Sequence, residues 1–287
     1  MRRPPKSLRP RELSKREAEA AKKRRLAIGI TVAASAVVIA FGVMAVTMKP
    51  VDIDKTTGCP LRPDKPLPHT LVMIDGTDRL PVRELDYAEA LIRTEYLNLP
   101  IGGRLTVASI LADPDTPSEI VICRMPDRAK AGDISSNDAK IRKDFQKVAG
   151  VRLDRLRAEL ASGEPQRASP IREMIAVAMD RPDFDSSVPD RRLVILSDFA
   201  QHSDAASDYD RTFALSEEAH ELLDRDLSEV AVRLHYVRRA SLSGLQGARH
   251  KQAWTSDLED LGAEVAVGHG LNIGERGERP IWTRSSQ

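Results

Sequence analysis

The sequence predicts one transmembrane helix followed by an α/β domain, a doubly wound and mostly parallel sheet with one antiparallel edge strand. Three observations carry this expectation. Leu26–Met48 is a run of 23 residues without a charge. Beyond residue 68, short apolar runs of strand length alternate with longer stretches of helical spacing. Two of the strand signals are joined only by the turn Asp113-Pro-Asp-Thr-Pro117, too short for a parallel crossover.

The N-terminal segment 1–25 holds eleven Lys/Arg and three Glu, whereas residues 49–287 hold 33 Lys/Arg and 40 Asp/Glu. A basic tail therefore precedes a mildly acidic body, and an acidic body argues against nucleic acid as a partner. At about 1.5 Å per residue the uncharged run is roughly 34 Å of helix, enough to cross a hydrocarbon core. No face of it is polar, which excludes an ordinary core helix. Its length exceeds the usual ~7–15 apolar residues of a signal peptide, so an uncleaved anchor is preferred to a cleaved leader ending near Ala45–Thr47.

Lys22, Lys23, Arg24 and Arg25 abut the helix start, and only Lys49 closely follows its end. The positive-inside rule then places the N-terminus in the cytoplasm and the C-terminal domain on the periplasmic or extracytoplasmic side of an inner (plasma) membrane. Arg11–Arg25 reads as an irregular arm that sets topology, with a helix lying on anionic headgroups as the other reading. Residues 49–68 form a linker whose five prolines favour an extended path.

The domain is expected over residues 69–268. Leu71–Ile74 is a buried strand ending at Asp75, and Val82–Leu97 a helix with apolar residues at Leu85, Ala88, Leu91 and Ile92. Arg104–Leu111 and Glu119–Cys123 are the hairpin strands. Asp138–Leu160 is a charged helix with a possible break at Gly150. Ser169-Pro170 starts another helix, Ser169 as cap and Pro170 in its first turn. Arg192–Leu196 is the most apolar strand and ends in Ser197-Asp198. A helix at Phe213–Leu223, a strand at Val230–Val237, a helix at Leu242–Leu261 and a strand at Ala263–Val267 complete the pattern. The tail 269–287 is irregular.

Sheets of this kind bind ligands at the carboxyl ends of their strands, near the switch in strand order. Asp75 and Asp198 each stand at such an end. With these residues the chain resembles the von Willebrand factor A-like family over roughly residues 68–267. Members carry Asp-x-Ser-x-Ser at the end of the first strand, a Thr from a later loop and an Asp after the fourth strand, which together hold a divalent cation. Here IDGTDRL supplies Asp75 and Thr77, ASPI supplies Ser169 in the Thr position, and VILSDF supplies Asp198. Arg79 stands where the second Ser belongs, and Asp78 beside it is an alternative acid. The resemblance implies Mg²⁺ on Asp75, Thr77, Ser169 and Asp198, and a protein partner that donates a carboxylate to the cation. The alternative at the same residues is a site without a metal, its aspartates satisfied by loop amides.

Cys59 and Cys123 are the two cysteines. In an oxidising compartment they can pair and close a loop worth a few kcal/mol; the other reading is two separate thiols. No Walker A loop, GxSxG elbow, HExxH or zinc spacing is present. The segment Gly268–Gly274 matches a phosphate loop only loosely, and Thr77 stands where a haloacid-dehalogenase-type phosphatase needs a second Asp. His202 with Asp204, Asp208 and Asp210 reads as a solvated acidic loop, and Trp254 and Leu258 as core contacts. The expectation is a membrane-anchored protein-interaction module. A metal-assisted hydrolase or phosphotransferase using Asp75 and Asp198, or a structural part of an envelope assembly, are the alternatives.

Overall fold

The computed structural model describes residues 10–47, 52–63, 65–114, 118–124, 137–163, 165–213 and 215–268. The tail 269–287, with its loose glycine motif, and the end of the 113–117 turn lie outside the described residues. The chain divides into two units, Met1–Val51 and Asp52–Gln287.

The described residues of the first unit form one helix, α1 (Pro10–Thr47). Its segment Ala20–Gly42 is long and apolar enough to cross a membrane, and every residue of that segment is exposed. Helix begins at Pro10, well before the apolar run, so the basic arm is helical rather than irregular. The sequence there is rich in Ala, Glu, Lys and Arg, which lose little side-chain freedom in a helix.

The second unit is a six-stranded sheet in the order β3-β2-β1-β4-β5-β6. Its strands are β1 (His69–Asp75), β2 (Arg104–Ile110), β3 (Glu119–Cys123), β4 (Arg191–Ser197), β5 (Val230–Tyr236) and β6 (Glu264–Gly268). Among the described residues only the β2–β3 pair is antiparallel, and β3 lies at an edge. Helices α2 (Val82–Asn98), α3 (Asn137–Ser162), α4 (Ile171–Met179), α5 (Glu217–Leu223) and α6 (Ala248–Asp260) fill the connections.

The period-two alternation of each strand divides the core between two faces. Val72 and Ile74 of β1, with Val194 and Leu196 of β4, pack against Leu85, Leu91, Leu153 and Leu160 of α2 and α3. Leu71, Met73, Leu193 and Ile195 point the other way, onto Ile171, Met174, Trp254 and Leu258 of α4 and α6. Burial on both faces explains why these strands read as continuous apolar runs.

Several local expectations change in the fold. Helix α3 runs unbroken through Gly150. Ser169 does not cap α4: its backbone forms a bridge with His202, and Gln201 Oε1 accepts the Arg172 amide instead. Helix α5 starts at Glu217, where the Ser216 hydroxyl accepts the Ala219 amide. Helix α6 starts at Ala248, after a short 3₁₀ turn at Ala240–Leu242. The proline-rich segment folds back on itself through an Ile53–Pro60 bridge. Cys59 and Cys123 form a disulfide with Cα atoms 4.7 Å apart, which ties this segment to β3.

Candidate functional site

In the strand order 3-2-1-4-5-6 the connections diverge between β1 and β4, the place where sheets of this kind form their crevice at the carboxyl edge. The β1–β4 register matches Ile74 with Leu196, so Asp75 and Ser197 follow side by side. Asp75 is 7% exposed. Its Oδ1 accepts the Thr77 amide at 3.1 Å and the Thr77 hydroxyl at 2.6 Å, and its Oδ2 accepts the Ser197 hydroxyl at 2.6 Å. Gly76 packs closely under Leu160, where a Cβ would stand 2.9 Å from Cδ2 and push that side chain aside.

Thr77 Oγ1 lies 3.3 Å from Ser169 Oγ. Two ties hold that approach. The Gln166 amide donates to the Thr77 carbonyl at 2.8 Å, and Ser169 and His202 exchange both backbone hydrogen bonds. The loop bearing His202 is in turn fixed from below. Asp208 is buried rather than solvated, and its Oδ2 accepts His250 Nε2–H at 2.9 Å and Trp254 Nε1–H at 3.2 Å. The Tyr236 hydroxyl donates to His250 Nδ1, completing a buried Asp–His–Tyr chain. His202 itself is exposed, with Nδ1 beside the Ser207 hydroxyl at 3.2 Å.

After Ser197 the chain reverses sharply. Phe199 adopts φ 59°, a left-handed conformation unusual for a bulky residue. The turn is held by its amide on Ser197 Oγ at 2.7 Å, by Trp254 Nε1–H on its carbonyl at 3.0 Å and by its stacking on Tyr236 at 5.2 Å. This reversal presents Asp198, whose Oδ1 accepts the Ala200 amide at 2.9 Å and whose Oδ2 accepts Arg239 Nε–H at 2.7 Å. Arg239 also faces Glu84 Oε2, with Nη2 at 3.4 Å.

The site is rich in negative charge. Burial, followed by repulsion from Asp198, raises the Asp75 pKa to about 6 despite the hydrogen bonds from Ser197 and Thr77. Burial also raises Glu84, against the pull of Arg239 and with further repulsion from Asp198, Asp75 and Asp78. For Arg239, burial favours the neutral form, but Glu84 and Asp198 outweigh it and hold the pKa above its ordinary value.

The structure thus brings together Asp75, Thr77 and Ser169 by contact and sets Asp198 near enough to repel Asp75. Arg79 is exposed and Asp78 half-buried. Among the described residues, no three His, Cys, Asp or Glu side chains gather in metal-ligand geometry. Sequence reasoning missed Ser197, Glu84, Arg239 and Gln246. Glu84 left a trace, since Glu84, Ala88, Leu91 and Glu95 fall at i, i+4, i+7 and i+11 on one helical stripe. No family model matches the chain, and no curated protein matches it.

Proposed function

We propose that the chain is a membrane-anchored, von Willebrand factor A-like protein-interaction module on the extracytoplasmic side, holding Mg²⁺ at Asp75, Thr77, Ser169 and Asp198. The observation that carries this reading is the pair of hydroxyl oxygens, Thr77 Oγ1 and Ser169 Oγ, 3.3 Å apart beside a buried carboxylate. Octahedral Mg²⁺ has ligands at ~2.0–2.1 Å, which sets neighbouring ligand oxygens about 3 Å apart. The Thr77 hydroxyl donates its hydrogen bond to Asp75, which leaves the oxygen's lone pairs for a cation. A buried carboxylate repelled by a second one also gains from a bound cation.

A bound Mg²⁺ supplies a hard, positive centre that keeps exchangeable water positions, one of which a partner's carboxylate can take. The protein's own residues prepare that centre: Ser197 orients Asp75, Gln166 and His202 set Thr77 and Ser169 close together, and the Phe199 reversal presents Asp198. The anchor rests on the apolar segment of α1 and its basic flank, and an extracytoplasmic domain agrees with the Cys59–Cys123 disulfide.

The test is calorimetric titration of Mg²⁺ into the full-length protein in mild detergent, with Asp75→Ala as the comparison. Saturable heat in the wild type and none in the variant is the expected outcome. Absence of both heat and thermal shift in the wild type removes the cation from this reading. Partner proteins that co-purify in Mg²⁺ and elute with chelator are expected if the cation bridges the two.

A further inference from the structure

Arg239 arrives at the crevice from the loop that follows β5, and its position is built rather than incidental. Gln246, 6% exposed, clamps that loop: its Oε1 accepts the Arg239 amide at 2.8 Å, while its Nε2 donates to the Asp198 carbonyl at 2.9 Å and the Val237 carbonyl at 2.8 Å. The guanidinium is thereby laid between two acids, with Nε on Asp198 Oδ2 and Nη2 toward Glu84 Oε2. Glu84 is 1% exposed, and its other oxygen, Oε1, is buried without a hydrogen-bond partner among the described residues. Buried carboxylate oxygens are seldom left so, because the lost hydration is not replaced.

We infer that Arg239 is the built-in counter-cation of the metal-free site and competes with the divalent cation for Asp198. This inference rests on the cation reading proposed above. While Arg239 is paired with Asp198, one ligand oxygen is engaged and a positive charge stands beside the place a second cation must enter. When the divalent cation takes Asp198, the guanidinium moves onto Glu84, whose open Oε1 completes a two-pronged pair with Oε2. Arginine suits this exchange because its planar fork matches both oxygens of a carboxylate. The unsatisfied oxygen of Glu84 is then the receiving half of a two-position arrangement. The competition weakens the apparent affinity for the cation by the fraction of molecules in which Arg239 has left Asp198, and Arg239 thereby sets the concentration range in which the site fills.

Two variants move the affinity in opposite directions. Arg239→Gln removes the competitor, and full-length protein in detergent is expected to bind Mg²⁺ roughly tenfold or more tightly than wild type by calorimetry, a like charge having left a partly buried site. Glu84→Gln removes the receiving carboxylate, so Arg239 stays on Asp198 and Mg²⁺ binds several-fold more weakly. Equal Mg²⁺ affinity in wild type and both variants overturns the competition while leaving the cation site intact. Absence of Mg²⁺ binding in all three proteins overturns the cation site and the competition with it. Should Arg239→Gln fail to fold, Glu84→Gln decides alone: weaker binding supports the exchange, and unchanged or tighter binding refutes it.

Discussion

Ser197 donates its hydroxyl hydrogen to Asp75 Oδ2 over 2.6 Å and accepts the Phe199 amide at 2.7 Å. One small side chain therefore joins the ends of two adjacent parallel strands and begins the reversal that presents Asp198. It also steadies a carboxylate whose charge the fold opposes by burial and by repulsion from Asp198. Burying that charge costs stability at neutral pH.

Asp75 has a pKa near 3.8 in the unfolded chain and about 6 in the folded one. The folded state therefore holds the proton more tightly, and stability falls as pH rises from about 3.8 through 6. Asp75→Asn removes this loss. In metal-free protein at pH 7 its thermal midpoint is expected to lie several degrees above wild type, with the difference shrinking toward pH 4. Thermal denaturation across this range checks the sign, and a variant less stable than wild type at pH 7 refutes it.

Two buried histidines act in the opposite direction. His69 donates Nδ1–H to the Asp183 carbonyl at 2.7 Å and accepts the Thr106 hydroxyl at 2.8 Å, while His235 Nδ1 is hydrogen-bonded to the Tyr87 hydroxyl at 2.7 Å. Burial lowers both pKa values from 6.5 to about 4. The unfolded chain then binds more protons between those values, so their contribution is full above pH 6.5 and lost as pH falls toward 4. His69→Gln and His235→Gln are each expected to flatten the loss of thermal stability between pH 7 and 4.5. An unchanged slope in both variants sinks the assignment.

The Cys59–Cys123 bridge spans a sequence separation of 64. Chain-entropy estimates put closure of such a loop at about 4 kcal/mol. Cys59→Ser, or reduction under non-denaturing conditions, is expected to lower the thermal midpoint markedly and to free the 52–63 segment to proteolysis. Alkylation of the unreduced protein should label neither cysteine.

Topology has its own check. If the basic end of α1 is retained in the cytoplasm, as proposed, a reporter fused before residue 10 should be active only as a cytoplasmic fusion, and one fused after residue 287 only as an exported fusion. Matching behaviour of the two ends contradicts a single crossing.

What could be read in the linear chain was whatever depends on near neighbours. The uncharged run and its basic flank, the strand runs and the acids ending β1 and following β4 all lie within a few residues of the features that define them. The pairing of Cys59 with Cys123 was open to inference because there were only two candidates. Apolar spacing places the starts of α5 and α6 too early, at Phe213 and Leu242, because it continues into segments that the fold uses as turns. Ser169 looked like a helix cap because Ser-Pro usually is one, but a backbone bridge to His202 claimed it and Gln201 supplied the cap from another loop.

By itself, the sequence determined the anchor-like helix, the alternation of strands and helices, and two acids at strand ends, because hydrophobic period and charge are local properties. Only the tertiary structure decided that Ser197 braces Asp75, that Thr77 meets Ser169, and that Arg239 and Glu84 share the crevice. Those relationships join residues on loops far apart in the chain. Strand order and register bring the loops to one edge, and no short-range pattern encodes which distant charge will be buried against which.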